Sequence, residues 1–67
     1  KELSAALNRF LRALPDQDRT VFLLRYYHAN SQGEIAQKTG LSQNQVKYIL
    51  QRTRKNLANT LKKEGLQ

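Results

Sequence analysis

Residues 31–46 run Ser-Gln-Gly-Glu-Ile-Ala-Gln-Lys-Thr-Gly-Leu-Ser-Gln-Asn-Gln-Val, and no other stretch so narrows the folds open to the chain. Ser31 with Glu34 is a Ser-x-x-Glu capping box: the hydroxyl accepts from the backbone N–H three residues on, and the acid reaches back, so a helix opens there. Ser42 with Gln45 repeats the device. Between them, Gly40 reaches the left-handed conformation of a helix C-terminus without steric cost. The order predicts a short helix with Ile35 and Ala36 turned inward, a tight turn with Leu41 folding back, and a second helix.

Two further helices are expected upstream. Leu3, Ala6, Leu7, Phe10, Leu11 and Leu14 recur at three- and four-residue spacing, giving one apolar face to a helix over about residues 2–13 that Pro15 ends. A second should start near Asp16, where Asp18 suits a helix N-terminus, and run to about His28. Its run from Val21 to Tyr27 is apolar almost all round, which predicts a central helix with at least one of Tyr26 and Tyr27 in the core.

The last helix meets no breaker until Gly65, so it spans about 22 residues and roughly 33 Å. At about 100° per residue, Val46, Ile49, Leu50, Thr53, Leu57 and Leu61 fall in one inward stripe. Asn44, Tyr48, Gln51, Arg52, Lys55, Asn59 and Lys62 take the opposite side. Residues 65–67 are expected to fray. The fold class predicted is all-α, a four-helix domain with a C-terminal helix-turn-helix. One domain over residues 1–67 is expected, with residues 1–28 as two supporting helices and 31–64 as the helix-turn-helix.

Composition narrows the function. The chain has no cysteine and one histidine, His28, so neither a thiolate metal site nor a histidine cluster can form, and no cofactor is expected. No paired carboxylates or phosphate-cradling glycine loop appear, and 67 residues leave little chain for a pocket, so the reading is not an enzyme. The formal net charge of +7 favours a polyanionic partner. It is uneven: residues 1–14 contribute +2, residues 15–41 balance, and residues 42–67 contribute +5. No apolar run approaches the roughly 20 residues that span a bilayer, and no signal-peptide pattern opens the chain, so a soluble cytoplasmic protein without a membrane partner is expected. The lack of methionine and the bulky Lys1 suggest a piece of a longer protein.

A capped helix after a glycine turn, with a polar outer face, suits the reading helix of a helix-turn-helix in a DNA major groove. Its N-terminal residues Gln43, Asn44, Gln45, Lys47 and Tyr48 are the candidates for base contact. Gln and Asn can pair with adenine N6 and N7, Lys with guanine O6 and N7, and Tyr can pack on a thymine methyl or bond a phosphate. Gln51 shares their face. Arg52, Arg54 and Lys55 are expected along the phosphates, and Ser31 and Gln32 at the positive start of the third helix could take another.

The order Leu14-Pro15-Asp16, Val21-Phe22-Leu23-Leu24-Arg25-Tyr26-Tyr27, Glu34-Ile35-Ala36, Gly40-Leu41-Ser42, Val46-Lys47 and Arg52-Thr53-Arg54-Lys55-Asn56-Leu57 resembles region 4 of the sigma-70 family, most of all its extracytoplasmic-function-type members. The resemblance covers nearly the whole chain and is far more specific than a bare helix-turn-helix. It implies recognition of the minus-35 promoter element of double-stranded DNA in bacterial transcription initiation, within the RNA polymerase holoenzyme at the nucleoid. It also implies an outer apolar surface that engages the β subunit flap, and masking by anti-sigma proteins. The family's DNA contacts carry over onto Gln43, Asn44, Gln45, Lys47, Tyr48 and Arg52. The chain departs from the family in its amides at Gln43 and Asn44, which bear on the promoter sequence, and at Gly33, which reads as a cost in stability alone.

Rival readings are an autonomous helix-turn-helix regulator, a recombinase DNA-binding tail, or a protein-interaction module whose last helix docks in a partner's groove. Plain structural roles compete for single residues as well: Arg25 as a local partner on its own helix, His28 as a helix-end residue, and the run Arg52 to Lys63 as a solvated face.

Overall fold

The computed structural model describes the backbone of residues 2–63 and 65, with side chains from Ser4 onward. The expected inward place of the Leu3 side chain and the fraying at residues 66 and 67 lie outside the described residues. Four helices make up the rest: α1 (Glu2–Ala13), α2 (Asp16–Tyr26), α3 (Gln32–Thr39) and α4 (Gln43–Lys63). Among the described residues none is long and apolar enough to cross a membrane.

Local chemistry accounts for the boundaries. Proline cannot donate an N–H, and α1 stops two residues before Pro15, whose carbonyl then accepts the Arg19 N–H in the first turn of α2 at 3.0 Å. Arg19 also staples the two helices, donating to the Leu11 carbonyl at 3.4 Å and pairing with Asp16. At α3 both arms of the capping box form: the Glu34 N–H donates to Ser31 Oγ at 3.1 Å and the Ser31 N–H to Glu34 Oε1 at 2.7 Å. Gly40 caps its end at φ 77° and ψ 8°, with its N–H on the Ala36 carbonyl. Ser42 and Gln45 close the second box at 2.9 and 3.1 Å. Beyond Lys63, Gly65 turns the chain at φ 71°.

The core comprises Val21 of α2, Ile35 of α3 and Val46, Ile49 and Leu50 of α4, with Leu24, Ala36 and Leu41 packed against it. Each fully buried aliphatic contributes about 1.5–3 kcal/mol. Ala6 and Leu11 bring α1 to the same body, and Thr53 continues the buried stripe of α4. Leu57 and Leu61 are only half-buried, since nothing but α1 and the end of α2 lies over them.

Three expectations for α2 fail. The central helix is α4, which packs against the other three, whereas α2 buries one side only, through Asp18, Val21 and Phe22. Tyr26 and Tyr27 are both exposed, at 46% and 67%. Four helices in so short a chain cannot enclose one of their number, and a chain of this size covers only about 60% of its unfolded surface. The helix also ends at Tyr26 rather than His28. Ala29 adopts a left-handed φ of 55°, and the chain doubles back so that the Asn30 N–H reaches the Leu24 carbonyl at 3.0 Å.

Asn30 then holds the α2–α3 junction. It is buried; its side chain donates to the Leu24 carbonyl at 3.2 Å and accepts from Lys38 Nζ at 3.0 Å, while its own carbonyl accepts from Arg25 at 3.2 Å. Arg25 and Lys38 are thereby engaged in fixing the start of the helix-turn-helix.

Candidate nucleic-acid interface

The outward face of α4 begins directly after the Ser42 cap. Gln43, Asn44, Gln45, Lys47, Tyr48, Gln51, Arg52 and Lys55 are all exposed, while Val46, Ile49, Leu50 and Thr53 behind them are buried. The polar face is therefore carried on a helix whose roll is fixed by close packing. Asn44, Gln45, Tyr48 and Arg52, with Gln17 of α2, Leu41 and Ile49, line a shallow open hollow of about 380 Å³.

Several side chains are already engaged. Gln45 accepts the Ser42 N–H through Oε1, which leaves its NH₂ group for a ligand. Gln43 lies against α3: a Cβ on Gly33 would stand 3.1 Å from Gln43 Nε2. The glycine thus leaves room for an outward amide, so its role is more than the stability cost read from the sequence. Tyr48, 60% exposed, lies beneath Arg52, whose guanidinium carbon is 5.1 Å from the ring centroid. Arg52 in turn donates to Asp18 Oδ2 at 2.7 Å. That hydrogen bond, and then the charge behind it, raise the guanidinium above its ordinary pKa.

The expected phosphate set does not stay together. Arg54 lies roughly 200° around the helix from Arg52 and lines a different, apolar groove with Leu7, Phe22, Tyr26, Tyr27, Leu57, Ala58 and Leu61. Lys55 remains beside Arg52 and Tyr48 on the polar face. At the start of α3, Ser31 has both its N–H and its hydroxyl oxygen committed to Glu34. The Ser31 N–H, then its hydroxyl, and Lys38 favour the charged Glu34 and hold its carboxyl below the ordinary carboxylate value. A fixed negative charge there opposes the phosphate expected at Ser31 and Gln32. Sequence spacing could not reveal the Asp18–Arg52 pair, whose members are 34 residues apart.

A glycine-linked pair of capped helices, with an exposed amide and cationic face on the second and a buried stripe behind it, defines a helix-turn-helix domain. Comparison with known proteins gives its family. The sequence model for Sigma-70, region 4, matches residues 4–57, and the chain belongs to that family. It is also similar to RNA polymerase sigma factor SigF of Mycobacterium tuberculosis, from strain CDC 1551 / Oshkosh and from strain ATCC 25618 / H37Rv. Identity is 36% over 55 residues in each case, covering 82% of this chain and 21% of the relative. The chain therefore spans about a fifth of the length of these relatives. No solved structure gives a significant match.

Proposed function

We propose that this chain is the promoter-reading part of a bacterial sigma factor, binding the minus-35 element of double-stranded DNA within the RNA polymerase holoenzyme. The observation that carries the reading is the exposed face formed by Gln43, Asn44, Lys47, Tyr48, Gln51 and Lys55 of α4, which starts directly after the glycine turn. Gln43, Asn44, Lys47 and Tyr48 are assigned to base edges, and Lys55 to phosphate. The NH₂ of Gln45 is a lesser contributor. Arg54, on the far side, is left out of the DNA set.

The apolar groove supports the second half of the reading. Leu7, Tyr26, Tyr27, Leu57, Ala58 and Leu61, lining the groove with the buried Phe22, leave aromatic and aliphatic surface open, on the side of α4 away from Tyr48. A polymerase element seated there, assigned to the β subunit flap, would not compete with DNA. Such an arrangement lets two weak contacts act together through effective concentration.

The test is a salt titration of duplex binding by fluorescence anisotropy. With Lys47 and Lys55 the cations left on the DNA-facing side, log Kobs should fall against log salt with a slope of about −2. Lys47→Ala should relax preference at one base pair by about 1–3 kcal/mol, while Lys55→Ala weakens all sequences alike. Undetectable binding at low ionic strength, or binding indifferent to salt, would defeat the reading.

A further inference from the structure

We propose that Asp18 determines how the DNA-facing end of α4 is used, by holding Arg52 as a brace over Tyr48 instead of leaving it to contact a phosphate. The proposal rests on the promoter reading and adds to it a positioning pair that joins the supporting helix α2 to the reading helix.

The geometry carries the argument. The Asp18 side chain is 8% exposed, the Arg52 side chain 42%. A carboxylate so nearly enclosed needs a cation, because an uncompensated charge at such a site is strongly unfavourable. Arg52 supplies one at 2.7 Å, in a charge-assisted hydrogen bond of ordinary length. The guanidinium carbon of the same side chain lies 5.1 Å from the Tyr48 ring centroid, a contact that arginine makes more often than lysine. One side chain therefore bonds inward to α2 and fixes the ring of a base-contact candidate one turn earlier on α4.

Two consequences follow for DNA. A paired arginine adds little to the field that draws in phosphates, so it is absent from the salt-dependent part of binding. A ring held in one orientation discriminates between base pairs better than a swinging one, since ordering it on binding costs less. Asp18 thus trades one sequence-independent contact for a fixed sequence-dependent one. The raised pKa of Arg52, whose first cause is the Asp18 hydrogen bond, agrees with the pair being the preferred partner.

The experiment compares four forms of this chain on one promoter-like duplex and one scrambled duplex, across about 50 to 200 mM salt. Asp18→Asn keeps the shape and removes the charge, so Arg52 is released. Its salt slope should steepen by about 0.9, which is roughly a further threefold loss over that range, and its preference for the promoter-like duplex should fall. Asp18→Asn combined with Arg52→Gln should return the slope to that of the parent, as Arg52 is the group that moves. Arg52→Gln alone, which can still donate to Asp18, should leave the slope unchanged. A merely structural role would weaken binding without steepening it. The proposal is overturned if Asp18→Asn leaves the slope where it was, if the steepening survives Arg52→Gln, or if Arg52→Gln alone flattens it as Lys55→Ala does. Should the parent show no salt-dependent binding to either duplex, the promoter reading fails with it. Parent binding with an indifferent Asp18→Asn sinks only the brace.

Discussion

Two glycines seven residues apart should respond to the same substitution in opposite directions. Gly40 sits at φ 77°, and a Cβ built there meets no atom within 4 Å. Gly40→Ala therefore has no steric penalty, only that of placing an L-residue in the left-handed region, about 1–2 kcal/mol. The stiffer unfolded chain returns part of this, about 0.4–1 kcal/mol, so the net loss is about 1 kcal/mol. Gly33 stands in the first turn of α3, where alanine is favoured over glycine by about 0.5–1 kcal/mol. Its Cβ would approach Gln43 Nε2 at 3.1 Å, but that atom is the far end of an exposed, flexible side chain and can swing away. Gly33→Ala should thus stabilise by about 0.5 kcal/mol. For a domain of this size about 1 kcal/mol moves Tm by about 4–8 °C, so the two variants should bracket the parent in thermal melts followed by circular dichroism. Because Gly33→Ala displaces Gln43, it should also weaken discrimination at one base pair while raising Tm. A Gly40→Ala melt coinciding with the parent would refute the left-handed cap, and a destabilised Gly33→Ala would refute the mobility assigned to Gln43.

Two further outcomes are expected. Thr53 is buried, and its hydroxyl has no hydrogen-bond partner among the described residues, so Thr53→Val should raise stability by about 1 kcal/mol in urea titration, at unchanged DNA affinity; a loss of stability would show that the hydroxyl is satisfied. Glu34 is held below its ordinary value of 4.5 by Ser31, so the unfolded chain takes up that proton first. Its contribution is full above 4.5 and is lost as pH falls through the lowered folded value. Glu34→Gln keeps an acceptor for the Ser31 N–H without titrating, and should show a shallower fall in urea midpoint from neutral pH to about pH 3. Parallel profiles for the two proteins would count against the capping role of the charge.

What was legible in the sequence was local. Both capping boxes, the Gly40 turn and the stripe from Val46 to Thr53 depend on residues within a turn or two of each other, and spacing reports them directly. The position of α2 depends instead on how many helices the chain can wrap around it, which an apolar run does not encode; hence neither Tyr26 nor Tyr27 takes the core place expected of at least one of them. Its end was missed because Ala29, not glycine or asparagine, takes the left-handed φ. Asp18 looked like an ordinary acid in a helix's first turn, and only the fold brings Arg52 to it. Asn30, with four hydrogen bonds at the α2–α3 junction, carried no signal beyond that of a loop residue. In the candidate site, the face was readable, but which of its side chains are already occupied was not.

The 21 residues of α4 give it a length of roughly 31 Å, whereas a B-form major groove is about 12 Å wide. Asn59 and Lys62 lie roughly 24 and 29 Å along the axis from Gln43, well past any base a docked duplex could offer. The distal turns therefore work as a spine on which α1 is hung. If α4 reads a promoter as proposed, natural drift on their solvent side should leave that choice untouched, while shortening them would strip away one wall of the aromatic groove.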